Sequence, residues 1–293
     1  MGVRRALMVQ DVMPDAAVEL GMLRNRSVIE ISRRMARAIY NMADEIFTLG
    51  RGMVDRIGRE TKDPKKISIL PNTIDVDELA PGPNQGVPFR ERFVPDGTFA
   101  VVHAGNMGQK QDLGLLLRTA RRLRDHPDIH FYVFGDGAVK DDFLRKRAEW
   151  GLDNVSHFAF QEREMLPHML YGADVLLVSQ LPEVIDIVVP SKLVTAMGAG
   201  AMIVAACAEG SETAQLLARC GGGLVVQPSN DQELSRVLLL IKNQHISTSE
   251  HRRRVEAFAA AAFGRKKVYG RFCTALIDAQ PYRRTGSKAA LRS

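Results

Sequence analysis

Cysteine is scarce in this chain: three in 293 residues, Cys207, Cys220 and Cys273. The number is odd and no two stand at a metal-ligand spacing. A disulfide scaffold and a zinc site are both excluded as organising principles, and a reducing cytoplasm fits. Aromatic residues make up only 6%, with a single tryptophan. That is too few for base-stacking platforms, so a nucleic-acid partner is not expected. Long apolar runs are absent as well. Nothing reaches the roughly 18 residues that a membrane-crossing helix requires. The opening "MGVRRALMVQDVMPD" has no extended apolar core and no cleavage pattern, which argues against a signal peptide. Ala6 occupies the position where N-myristoylation needs serine or threonine.

What the chain does have is apolar mass and positive charge. Hydrophobic residues are 45% of the total, the formal net charge is +6, and the pI is near 9.3. Such a balance favours anionic partners such as phosphates or an acidic membrane surface. The basic residues are spread out, apart from arginine clusters around 24–37, 118–124 and 252–254.

From about residue 97 to 243, short apolar runs alternate with amphipathic ones. "TFAVVHAG", "IHFYVFG", "VSHFAF", "DVLLVSQ", "MIVAAC" and "GLVVQP" read as strands, each followed by a helical period. Continuous apolar strands separated by helices predict a parallel sheet covered on both faces, a complete doubly wound domain. Residues 1–82 hold only three strand candidates and read as the carboxyl half of a similar domain. "PGPNQGVPFRERFVPDG" reads as an exposed crossing, the donor-side domain as 83–250, and 251–293 as closing helices that pack back on the amino-terminal part, then a basic tail. In "SVIEISRRMARAIYNMA", Ser27 and Glu30 have the spacing of a capping box.

In a doubly wound sheet, ligands bind outside the carboxyl ends of the strands. Four features stand there. Gly105, Gly108 and Lys110 form a glycine-rich turn with a lysine, suited to phosphate; an ordinary strand-to-helix turn explains it equally well. Phe134, Gly135, Asp136 and Gly137 ("FGDG") give an open turn that could lie against a nucleoside base; again a plain turn suffices. In "VVPSKLVTAMGAG", Pro190 ends an apolar run, Ser191 can cap the next helix, and Lys192 sits at its amino end. Cations are disfavoured there unless an anion is present. Glu183 and Asp186 precede that join, and a carboxylate beside a phosphate site suits a sugar hydroxyl. Taken together the turns describe a nucleotide–sugar site.

The order of these motifs resembles the donor domain of family 4 glycosyltransferases, which have the GT-B fold. "LMVQDVMPDAAVELGML" is similar to a family segment with an aspartate, a tryptophan and a proline; Asp11 and Pro14 match on the acceptor side, and Met13 stands where tryptophan is usual. "ISILPNTIDVDELAP" resembles the interdomain "PNG-[VI]-D" stretch, with Thr73 for glycine. "HAGNMGQKQDLGLLLRTARRL" is similar to the first donor strand and phosphate loop, with Asn106 in place of an arginine and Lys110 retained. "PSKL" resembles the branch that makes exopolysaccharide or O-antigen, the colanic-acid type included. Of the two glutamates that the larger family carries seven residues apart, Asp186 lies near the first position and Thr195 stands at the second.

The resemblance implies an α/β fold of GT-B type, with one complete doubly wound donor domain and a partial Rossmann-like one. It implies a retaining, metal-independent transferase without cofactor. A sugar would pass from a nucleoside-diphosphate donor to a lipid-linked or saccharide acceptor, in the cytoplasm or at the inner face of the plasma membrane, with contact to anionic lipid through the 24–37 arginines. Asp186 would orient the sugar. Lys110, Ser191 and Lys192 would neutralise the diphosphate, flanked by Gly105, Asn106, Gly108, Pro190 and Thr195. Phe134–Gly137 would frame the base. It also implies a glycine-rich acceptor loop about a hundred residues ahead of this chain's start, so the sequence is expected to be a fragment. Two alternatives stay open: a sugar-nucleotide epimerase of the same architecture, and a non-catalytic nucleotide-sugar-binding subunit.

Overall fold

The computed structural model describes residues 4–19, 21–79, 84–184 and 191–278. Two parallel sheets lie in sequence. The first has three strands in the order β1 (Ala6–Val9), β2 (Glu45–Thr48) and β3 (Ile67–Ile69). Helices α1 (Asp15–Glu19) and α2 (Arg26–Met42) connect β1 to β2; α3 (Arg51–Glu60) and a single 3-10 turn connect β2 to β3. Val9, Tyr40, Ile46, Met53 and Ile57 form its small core. α2 starts earlier than the serine–glutamate spacing suggests. The side chain of Asn25 accepts the Ser27 and Val28 N–H groups at 3.0 and 3.3 Å. Asn25 is therefore the cap, and Ser27 lies inside the first turn.

Helices α4 (Val76–Leu79) and α5 (Val87–Phe93) lead to the second sheet. Its strands are β4 (Phe99–Ala104), β5 (Ile129–Phe134), β6 (Val155–Phe158), β7 (Val175–Ser179), β8 (Ile203–Ala206) and β9 (Leu224–Val226). The intervening helices are α6 (Leu113–Arg122), α7 (Lys140–Glu149), α8 (Met165–Gly172), α9 (Ser191–Gly198) and α10 (Glu212–Cys220), with α11 (Asp231–Lys242) after β9. All pairings are parallel, and the spatial order is β6-β5-β4-β7-β8-β9. This is the doubly wound order in which strand direction of travel reverses between β4 and β7. Both faces are covered. Val102, Tyr132, Phe134, Leu176 and Leu193 belong to one core, and Val101, Phe131, Val133, Leu177 and Leu238 to the other. Side asparagines, aspartates and serines start the helices: Asp112 caps α6, Ser211 caps α10 and Asn230 caps α11.

The proline- and glycine-rich crossing differs from its expected exposed character. It contains α5, and Phe89 on that helix is fully buried against Phe93, Tyr132 and Phe134. Gly86, at φ +95°, allows the close approach: a Cβ there would lie 2.8 Å from the Gly172 Cα. A seven-residue helix has little intrinsic stability, so burial of one aromatic decides the local structure. The last two helices, α12 (Thr248–Phe263) and α13 (Arg265–Asp278), return to the first sheet. Ile74 exchanges backbone hydrogen bonds with Phe263 and Arg265 at 3.0 Å each, and Phe272 meets the Phe47 ring edge-on at 4.9 Å.

Phe89→Ala removes the aromatic that fastens α5 to the second sheet. We expect a loss of about 3–5 kcal/mol, the usual range for an emptied aromatic core site, read as a lowered urea midpoint with unchanged slope.

Candidate functional site

In a doubly wound sheet the ligand crevice lies at the carboxyl ends of the strands where their order reverses, here between β4 and β7, and several of the sequence-derived candidates lie on the turns there. β4 runs into Gly105, at φ +128°, and β5 runs into Gly135, at φ +151°. The Gly105 N–H donates to the Phe134 carbonyl at 2.9 Å, and Met107 N–H to the Asp136 carbonyl at 2.8 Å. The two turns touch through bare backbone. A Cβ on Gly135 would stand 1.9 Å from the Gly105 carbonyl oxygen, and one on Gly137 2.5 Å from the Asn106 Oδ1. No side chain fits at either position. Asn106 and Asp136 are exposed, whereas Gly108 is half-buried. Asp136 accepts the Gly137 N–H at 2.8 Å and pairs with Lys140 at 2.7 Å, and the Lys140 hydrogen bond holds its carboxyl below the usual range. Phe134 itself is buried and stacks on Phe158, ring centroids 5.0 Å apart. Its ring belongs to the core, so only its backbone faces the crevice end.

From the other side, α9 delivers Lys192. A Cβ on Gly105 would lie 3.6 Å from the Lys192 Cδ, so the lysine stem lies over the β4 turn. Its Nζ donates to the Gln111 Oε1, and burial pushes its pKa down to about 7. A partly desolvated ammonium is favoured when an anion arrives beside it. Ser191 is exposed in the first turn of this eight-residue helix. The Thr195 hydroxyl donates to the Ser191 carbonyl at 3.1 Å. Lys110 lies on the loop after β4. Its carbonyl accepts the Leu181 N–H at 3.1 Å, and its Nζ reaches Asp11 of the first sheet at 3.6 Å. Asp11 is exposed beside the buried Pro14. Asp186 and Pro190 lie outside the described residues; Glu183 is described, and exposed.

Three participants were not singled out by sequence. Gln111 holds Lys192, a role visible only across 81 residues of separation. His103, next to last in β4, is fully buried, and neither ring nitrogen has a hydrogen-bonding partner among the described residues. Burial first, and the Lys192 charge second, hold its pKa well below the ordinary value, so it adds no charge to the crevice. A histidine inside "TFAVVHAG" was the available signal. Glu212, buried at the start of α10, accepts the Gly52 N–H at 2.6 Å. It caps α3, whose own cap position is a glycine without a side chain, and so ties the two sheets together. A cleft of about 530 Å³ beside it is lined by Arg33, Arg51 and Arg59 but also by Asp15, Asp55 and Glu60, a balanced set with no preference for an anion. Among the described residues, no group of three histidines, cysteines, aspartates or glutamates could hold a metal ion, and no helix is long and apolar enough to cross a membrane.

The turn-to-turn contact is directly testable. Gly135→Ala forces the two loops apart and imposes an unfavourable backbone angle, which costs on the order of 1–3 kcal/mol. Thermal unfolding should register the loss, and wild-type stability in that variant would refute the described contact.

Comparisons with known proteins follow the same outline. Residues 98–243 match the family described as glycosyl transferases group 1. The putative colanic acid biosynthesis glycosyl transferase WcaI of Escherichia coli is 27% identical over 256 residues, 84% of this chain and 63% of that protein. The probable glycosyltransferase WbjE of Pseudomonas aeruginosa is 27% identical over 242 residues, 81% of this chain and 60% of that one. The chain thus spans less than two thirds of the length of both relatives. The solved structure of Anabaena HepE in complex with UDP superposes with a TM-score of 0.77 at 15% identity, covering 94% of this chain and 72% of that one; such a likeness speaks for the fold. On this fold, of GT-B type, residues 98–243 of the chain are a glycosyl transferases group 1 domain.

Proposed function

We propose that the protein moves a sugar from a nucleoside-diphosphate donor to a saccharide or lipid-linked acceptor in surface-polysaccharide synthesis, with the donor held by the second sheet. The observation that carries this reading is the meeting of Lys192 with the Gly105 turn at the β4/β7 crevice. Glycine turns bring N–H groups close to a phosphate, and the start of α9 adds its own. The two lysines differ in partner: Lys192, half-buried, is held by Gln111, and Lys110 is pre-paired with Asp11 across the gap.

The chemical logic is electrostatic. As the glycosidic bond breaks, negative charge grows on the departing diphosphate. Lys110, Lys192 and the first-turn N–H groups of α9 stand where that charge develops, and fixed donors there lower the barrier without reorganising. We read the transfer as retaining and metal-independent, with the enzyme positioning the donor and neutralising the diphosphate. Asp186 would hold the sugar, and the Gly135–Gly137 backbone would frame the base. HepE was solved with UDP, so a uridine nucleotide is the first donor to try, and the colanic acid relative is what favours an exopolysaccharide acceptor. Asp11 and Pro14 belong to the acceptor side of the gap.

Contact with an anionic membrane is the companion reading. Arg33 pairs with Asp15, Arg34 with Glu30 and Arg37 with Glu60. The exposed Arg24 and Arg26 at the start of α2 are what favour it.

Two outcomes are expected. Lys192→Ala should weaken UDP binding by on the order of 1–3 kcal/mol, the range for a hydrogen bond to a charged group, with the fold intact; titration calorimetry showing equal affinity would remove Lys192 from the diphosphate site. Co-sedimentation with anionic vesicles should fade with salt and fall in the Arg24→Gln/Arg26→Gln double variant, whereas equal sedimentation with neutral vesicles would reject the membrane contact.

A further inference from the structure

Several buried polar side chains without a hydrogen bond lie at the ends of β4 and β7, the strands that flank the reversal. His103 in β4 and Ser179, last in β7, are fully buried, and Gln180 follows directly. Neither ring nitrogen of His103, nor the Ser179 Oγ, nor the Gln180 Oε1 has a partner among the described residues. Unpaired groups of this kind are destabilising, and native proteins keep few of them. His103 is the one that meets the crevice. It precedes Gly105 by two residues, about 6.6 Å along extended backbone, and the Lys192 Cδ lies 3.6 Å from where a Gly105 Cβ would stand. Burial, then the Lys192 charge, keep the ring neutral against a smaller opposing effect of the Leu177 backbone. A neutral imidazole has one N–H and one free lone pair.

Lys192 has the complementary need. An ammonium carries three N–H donors. Gln111 Oε1 takes one of them, and no other acceptor reaches Lys192 among the described residues. We propose that His103 is a positioning residue for Lys192 during sugar transfer: with a diphosphate bound, the ring accepts one Lys192 N–H, Gln111 a second and a phosphate oxygen the third. The inference rests on the reading of Lys192 as a diphosphate ligand. The chemistry of the two protein acceptors favours it. Both are neutral, so they orient the ammonium and leave its whole charge to the phosphate. A carboxylate in either place would pair with Lys192 and compete with the anion; an apolar side chain would orient nothing. His103 does not touch the donor itself, because its ring is fully buried and reaches the crevice through Lys192.

The test measures UDP affinity by calorimetry and thermal unfolding on the 293-residue chain and its variants. His103→Leu should weaken UDP binding roughly tenfold, the equivalent of one hydrogen bond to a charged group. Its melting temperature should not fall, since an unpaired polar group gives way to an apolar one. His103→Gln restores a neutral acceptor and should bind UDP within about twofold of wild type. In the Lys192→Ala background, His103→Leu should add less than about twofold, because the acceptor then has no ammonium to hold. An equal loss in both backgrounds would overturn the proposal, since His103 would then act without Lys192. So would wild-type affinity in His103→Leu, or a His103→Gln variant as weak as His103→Leu. A lowered melting temperature with unchanged affinity would leave the ring a purely structural role. Wild-type affinity in Lys192→Ala alone would remove the diphosphate reading, and this inference with it.

Discussion

The contact between Gly105 and Gly135 is the constraint on which the crevice depends. Two strand ends meet there through backbone alone, at a spacing that excludes a Cβ on Gly135. The turns cannot spread, so the N–H groups behind them stay where β4 and β5 leave them. Everything placed later in the chain is set against that floor. Lys192 comes to rest over Gly105 because α9 is the helix that follows β7, the strand that pairs with β4 on the opposite side from β5. The crevice is thus a product of strand order. Had β7 paired with β6, two strands would separate the same residues and no single anion could touch both.

The lysines of the crevice stand in settings that work against their own charge. Lysine at a helix amino end works against the helix dipole, and Lys192 is desolvated as well, which is why its pKa falls to about 7. Lys110 faces Asp11 from the other sheet. Such a partly exposed pair contributes little stability; its interest is that both partners sit on opposite walls of one gap. Glu212 does more of the joining. Its carboxylate caps α3 across the gap, and a buried carboxylate bound to a helix N-terminus is well placed both by hydrogen bonding and by the dipole. Together with the Ile74 backbone bonds to Phe263 and Arg265, it defines how the two sheets face each other. The crevice walls and the contacts that join the two sheets are therefore built from different residues, and changing one set need not disturb the other.

The two sheets differ in how fully they satisfy their own chemistry. The six-stranded one buries both faces under helices on either side. The three-stranded one has a small core and a crossover helix, α2, that buries Tyr40 but leaves other apolar side chains exposed. The contrast lies in the amount of apolar surface each can enclose, which grows with the number of strands and helices available.

The sequence by itself determined the alternation of strands and helices in the second half, because a strand buried on both faces must be apolar throughout and a covering helix must repeat at 3.6 residues. It also determined the chemistry of the turns: glycine at Gly105, Gly135 and Gly137, and an ill-placed cation at Lys192, are legible because each conflicts locally with its setting unless something else is nearby. The tertiary structure decided what those residues meet. The order of the strands, the hold of Gln111 on Lys192, the Asp11–Lys110 pair and the Glu212 cap join residues 81, 99 and 160 positions apart, and no local pattern encodes such pairings. It likewise decided against local signals where burial outweighed them. α5 forms inside a proline- and glycine-rich stretch because Phe89 finds an aromatic pocket, Asn25 takes the cap that Ser27 would suit because the helix begins at Arg26, and the Phe134 ring enters the core and leaves only its backbone at the crevice. Propensity is worth tenths of a kcal/mol per residue and a buried aromatic several, so wherever the two disagreed, packing prevailed.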